Sequence, residues 1–146
     1  MSRAEDVEAL IIAAHRLTRV AALDTNSQTP AAQWRTLAIL RDHGPQRIGD
    51  LARLSRVTQP GMTRLIGTMA DLGLVERTGD PDDSRAVRIG ATDRGVAAYA
   101  QWRAHLVEAM LPRFEGLADE DWAAIRRAAA LLNERVAPEA RNGVNE

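Results

Sequence analysis

The chain has 146 residues, room for one domain or for one with dimerising extensions, and a formal net charge of −1 at pH 7, which excludes a molecule that is basic overall. It contains no cysteine, so disulfides, thiol redox sensing and thiolate-bound zinc are excluded. No apolar run reaches the ~18 residues of a membrane span, and Met1-Ser2-Arg3-Ala4-Glu5-Asp6 has no secretory pattern, so the expectation is a cytoplasmic protein without a membrane partner.

Residues 5 to 23 read as a helix whose stripe is Val7, Leu10, Ile11, Ala14, Leu17 and Ala21. Asp24 to Gln28 is a polar loop, and Thr29-Pro30 predicts an N-cap followed by proline at the first helical position. The second helix runs to about His43, burying Trp34, Leu37, Ala38 and Ile39 or Leu40, and Gly44-Pro45 ends it. A short helix from Arg47 to Leu54 turns Ile48, Leu51 and Ala52 inward, and Ser55-Arg56-Val57 forms a turn.

The next helix starts at Thr58, a good N-cap, with Pro60 in its first turn and Gly73 as its stop. Met62, Leu65, Ile66, Met69 and Leu72 make its apolar stripe. Its other face carries Gln59, Pro60, Thr63, Arg64 and Gly67, small or hydrogen-bonding residues around one guanidinium, at a helix start that favours phosphate. Leu74 to Arg77 and Ala86 to Ile89 read as two short strands, with Gly79 and Asp80 to Ser84 as the turn and Arg85 at its return. Two long helices follow. Thr92 caps the first, which runs from about Asp93 to Phe114 and is loosened near its end by Pro112. The second spans about Asp119 to Val136, with Trp122, Ile125, Ala128, Ala129, Leu132 and Val136 on one side, and Ala118 leaves Asp119 as its candidate cap. Pro138 to Glu146 reads as a frayed tail.

Helix, short helix, helix and hairpin is the order of a winged helix-turn-helix. The fold class expected is mainly α with a small β hairpin. Residues 30–92 would form the DNA-binding core, and residues 1–29 and 93–137 the flanking dimerisation helices. Charge agrees locally: from Arg47 to Arg64 there are four arginines, Arg47, Arg53, Arg56 and Arg64, against Asp50 alone. A charge run is ordinarily a solvated face, so this supports the reading without carrying it. All 19 basic residues are arginine, whose fixed fork suits phosphates and base edges.

Thr63-Arg64-Leu65, Gly73 to Arg77, Asp80-Pro81-Asp82-Asp83-Ser84-Arg85 and Ala91-Thr92-Asp93-Arg94-Gly95 follow one another with ungapped spacing. This series resembles the signature of the MarR (multiple antibiotic resistance regulator) family, and with the flanking helices the resemblance covers roughly residues 5 to 137. It implies a two-fold homodimer on double-stranded DNA, a repressor of pseudo-palindromic operators released by a small aromatic or lipophilic effector. An intramolecular bundle of the outer helices is the alternative to the dimer.

In this reading Thr58, Gln59, Pro60, Gly61, Thr63 and Arg64 enter the major groove, with Arg64 forking onto guanine. Arg47, Ser55 and Arg56 hold the flanking backbone, Arg85 lies in or beside the minor groove, and Arg88 is a second phosphate contact. Asp83 is expected to pair with Arg77 or Arg85 and shape the wing. An effector pocket would lie between core and dimer helices, with His15, Arg19 and Trp34 as uncommitted candidates; the ligand-binding residues stay unknown. No enzyme, cofactor or metal site is expected, since no phosphate loop or nucleophile elbow occurs and His15, His43 and His105 are scattered. The rival class is a winged helix that binds protein and no DNA, whose third helix would expose apolar or acidic residues rather than Thr63, Arg64 and Gly67.

Overall fold

Ser2 starts the chain's first helix in the computed structural model, which describes residues 1–138. Its hydroxyl accepts from the Glu5 N–H at 3.3 Å, and the Glu5 carboxylate accepts from the Ser2 N–H at 2.6 Å. This reciprocal cap begins α1 (Arg3–Thr25) two residues before the expected start and holds the Glu5 carboxyl below its ordinary range. Asn26, at a left-handed φ of 46°, ends it. Of the expected stripe only Ala21 is buried; Val7, Leu10, Ile11 and Leu17 remain exposed.

α2 (Ala31–His43) begins after Pro30, which takes the N-cap position itself, so Thr29 provides no cap. Leu37 and Leu40 are buried as the pattern predicts, and Gln33 and Thr36 are buried with them. The Thr36 hydroxyl is satisfied by the Ala32 carbonyl at 2.8 Å. After Gly44-Pro45 the chain forms a strand that the sequence did not announce, β1 (Gln46–Arg47), so the expected hairpin is a three-stranded sheet. The buried Gln46 amide donates to the His43 and Pro45 carbonyls at 3.1 and 3.0 Å, satisfying the end of α2. α3 (Ile48–Ser55) then buries Leu51 and Ala52.

α4 (Gln59–Asp71) is capped by Thr58, whose hydroxyl accepts from the Gly61 N–H at 3.2 Å. Met62, Ile66 and Met69 are buried. Leu72, expected in the same stripe, is exposed because the helix has reached its C-cap there. Gly73 follows at φ 74°, and the Leu74 N–H to Met69 carbonyl and Gly73 N–H to Ala70 carbonyl bonds, each 2.9 Å, close the end in a Schellman turn. β2 (Val75–Asp80) and β3 (Asp83–Ala91) pair antiparallel, with β3 central in the order β1-β3-β2. Both strands reach beyond the expected four residues, because pairing carries on through Gly79 and Asp80. Val75 and Ile89 join Leu37, Leu40, Leu51, Ala52, Met62, Ile66, Met69 and Leu74 in one core.

α5 (Asp93–Met110) is capped by Thr92, whose hydroxyl accepts from the Gly95 N–H at 3.0 Å and donates to the Gly73 carbonyl. Gly95 is required: a methyl group there would overlap the Leu74 carbonyl. α5 packs against α1 and α2. Pro112 takes effect as expected, and the chain tightens into a 3-10 turn at Leu111–Phe114.

The chain divides into two units, residues 1–112 and 113–146. The second holds α6 (Asp119–Val136). Asp119 does not cap it; the Asp121 carboxylate accepts from the Ala118 N–H at 3.2 Å, and three acids in the first turn favour the positive helix end. Phe114 and Trp122 pack with ring centroids 6.0 Å apart. No residue of α6 is buried. The expected tail lies outside the described residues except for Pro138.

Candidate nucleic-acid interface

α4 buries one face and leaves the other open. Met62, Ile66 and Met69 fix the helix on the core, so Gln59, Pro60, Thr63 and Arg64 are exposed along the opposite side. The Thr63 hydroxyl donates back to the Gln59 carbonyl at 3.0 Å, and Gly67 adds no bulk. α3 stands before α4 across the turn Arg56–Thr58, the arrangement in which the second helix of the pair fits a DNA major groove. Arg56 makes that turn at a left-handed φ of 56°, with its N–H donating to the Arg53 carbonyl at 3.2 Å, and it is exposed.

Ser55 does not fit the expected backbone contact. It is buried, and its hydroxyl meets no partner among the described residues, because it sits on the core side of α3 beside Leu51 and Ala52.

The wing is held by a carboxylate other than the one expected. Asp83 makes no ion pair with Arg77 or Arg85 among the described residues; its Oδ1 accepts from the Arg85 N–H at 3.0 Å. Asp80 carries the charge pairing. Its side chain is wholly enclosed, Oδ1 accepts from the Asp82 N–H at 2.8 Å, and Oδ2 accepts from Arg47 Nε at 2.6 Å and Arg88 Nε at 3.1 Å. Arg88 also reaches Asp82 at 3.3 Å. The Arg47 guanidinium, with the Asp82 N–H and Arg88 behind it, holds the Asp80 carboxyl at about 2 against an ordinary 3.8, over the opposing effect of burial. Arg47 is in turn pushed up by Asp80. Asp80 is the ion-pairing residue of the wing that sequence reasoning missed. Three aspartates crowd Asp80 to Asp83, and only the sheet register shows which one turns inward.

Strand register also sets Arg85 out. Pairing runs Gly79↔Val87 and then Asp80↔Asp83, so Ser84, Arg85 and Ala86 bulge from the ladder at the wing edge. Arg85 is exposed there, as is Asp83. Arg88, taken for a free phosphate contact, is half-buried and committed to Asp80 and Asp82.

Of the effector candidates, Trp34 alone lines a cavity of about 380 Å³ with Thr29, Gln101, Trp102 and His105. Its ring stacks on Trp102 at 5.1 Å and 12°, and Tyr99 continues the stack at 5.6 Å. His15 and Arg19 sit exposed on α1 and are not among its lining residues.

A helix pair with an open polar face, followed by a braced hairpin that projects an arginine, defines a winged helix-turn-helix DNA-binding protein. Residues 30–87 match the model of the MarR family. An HTH-type transcriptional regulator of Mycobacterium leprae is 32% identical over 113 residues, 76% of this chain and 79% of that protein. The HTH-type transcriptional repressor NicR of Pseudomonas putida is 32% identical over 85 residues, 58% of this chain and 49% of that protein. A solved MarR family protein of Bacillus stearothermophilus shares the fold at a TM-score of 0.70 and 22% identity, over 92% of this chain and 95% of that one. The chain belongs to the MarR family and is a DNA-binding transcriptional regulator. No described helix is long and apolar enough to cross a membrane.

Proposed function

We propose that two copies of this chain form a repressor that grips a pseudo-palindromic operator and lets go when a small aromatic or lipophilic effector binds. The observation that carries the DNA-binding part is the exposed row Gln59, Pro60, Thr63 and Arg64 on a helix whose other face is locked into the core. Arg64 has the reach and the fork to bind guanine O6 and N7. Gln59 and Thr63 meet base edges or phosphate, while Thr58, Pro60 and Gly61 let the helix start approach closely. Arg85 bulges from the wing edge, the position from which a side chain enters the minor groove. Arg47 and Arg56 flank the helix pair and supply phosphate contacts; Asp83 shapes the loop that carries Arg85. Residues 30–92 thus read duplex, and the helices on either side join the two copies. The repressor reading is supported by the likeness to NicR, and an aromatic effector by the Trp34–Trp102 cavity.

Selection of duplexes from a random pool tests this directly. The recovered sequence should contain two inverted half-sites about one helical turn apart. Binding should fall steeply with salt, which separates DNA recognition from a protein-binding winged helix. Arg64→Ala should cost ~1–3 kcal/mol and relax preference at one base pair of each half-site, whereas Arg85→Ala should weaken binding with a smaller effect on sequence preference. Variants that bind like the unaltered chain would refute the groove assignments.

A further inference from the structure

Resting on the DNA-binding reading, the geometry points to Asp80 as a positioning residue: its enclosed carboxylate ties the wing to the start of α3 and aims the Arg47 guanidinium at a backbone phosphate. Arg47 and Arg88 are direct cross-strand partners in the β1–β3 pair, so two like charges face each other there. Left alone they would separate and splay the short β1 from the sheet. Asp80 reaches both from β2, with Arg47 Nε at 2.6 Å and Arg88 Nε at 3.1 Å from the same Oδ2. One carboxylate therefore links all three strands and neutralises the repulsion.

The two arginines come out of this differently. Arg88 is 21% exposed and holds a second carboxylate, Asp82, at 3.3 Å, so it is spent on the wing. Arg47 bonds through Nε and stays 46% exposed, which leaves the outer end of its fork for another acceptor. It lies immediately before α3, the helix that crosses the DNA backbone in this fold. A guanidinium clamped on one edge by a carboxylate loses little rotamer freedom when the other edge meets a phosphate.

The test uses a duplex recovered by the unaltered chain from a random pool, with variants Asp80→Asn, Arg47→Ala, Arg47→Lys and the double variant D80N/R47A. Asp80→Asn keeps the size and one acceptor oxygen but removes the charge. We expect Asp80→Asn and Arg47→Ala each to weaken binding about tenfold, and the double variant to bind about as well as Arg47→Ala alone, since both changes remove one contact. Arg47→Ala should reduce the steepness of log affinity against log salt by about 1.8, about 0.9 for each of the two copies on the duplex. Arg47→Lys should keep that slope yet lose affinity, because an ammonium cannot hold the side-on pair, and this comparison stands even if Asp80→Asn fails to fold. Multiplied losses in the double variant would make Asp80 a mere support of the wing and overturn the proposal. So would an Arg47→Ala or Arg47→Lys chain with unaltered affinity. An unaltered chain that recovers no duplex would instead remove the DNA-binding reading, and this proposal with it.

Discussion

Arg56 shows a side chain kept where the backbone alone would choose glycine. It occupies a left-handed φ of 56° at the end of α3, a conformation that costs a non-glycine residue about 1–2 kcal/mol. In the proposed complex the exposed guanidinium beside α4 faces phosphate, which would retain such strain at this turn. Arg56→Gly is therefore expected to raise thermal stability by about 0.5–1 kcal/mol while weakening duplex binding; calorimetry and a shift assay on one preparation measure both. A gain in stability without loss of affinity would leave Arg56 a bystander. Its neighbour shows what the sequence could not convey at this scale. Ser55 and Arg56 are both polar turn residues, yet Ser55 falls on the Leu51 side of α3 and is enclosed, while Arg56 points away from the core. One residue of helical rotation separates the two, and element boundaries read from sequence are coarser than that.

Among the elements, α4 was legible nearly to the residue. A Thr58 cap, a 3.6-residue stripe and a Gly73 stop are three local signals that agree. The start of α2 was not: Thr29-Pro30 points to a threonine cap with proline at the first helical position, yet the backbone puts Pro30 one place earlier, at the N-cap. β1 carries two polar residues and no period at all, so only its pairing with β3 reveals it. The wing was legible as a hairpin but not in extent, since ladder pairing overrode the turn-forming Gly79 and Asp80. How the wing is fastened yields a pH prediction. The folded Asp80 carboxyl sits at about 2, below its ordinary 3.8, so its contribution is fully present above about pH 4 and is lost as pH falls through about 2. Protection of the β1 and β3 amides relative to their intrinsic exchange rate should fall across that window before the α4 core opens. Asp80→Asn should abolish this acid step, because an amide takes up no proton in that window. Wing amides unchanged down to pH 2 would show that other contacts hold the sheet.

For the molecule as a whole, the open question is what covers its outer helices. α1 exposes Val7, Leu10, Ile11, Ile12 and Leu17, with Ile11 51% exposed. In the second unit α6 buries nothing and leaves Val136 72% exposed. Isolated exposed leucines need no explanation, but helices that carry an apolar stripe and leave nearly all of it exposed call for a partner surface. A second copy of the chain fits the family's habit of binding DNA as dimers, and it supplies the twofold spacing an inverted repeat requires. If the copies fold only together, stability depends on concentration, and each tenfold dilution lowers it by about 1.4 kcal/mol per dimer. Ile11→Glu separates the cases sharply. On a lone chain an exposed substitution changes stability by about 0.5 kcal/mol or less. In a dimer that buries α1, the same change puts a carboxylate into an apolar interface, so sedimentation should show dissociation and operator affinity should fall even though no DNA contact is touched. A chain that sediments as a monomer, melts at one temperature over a hundredfold dilution and tolerates Ile11→Glu would leave these faces to another partner and remove the basis for a palindromic site.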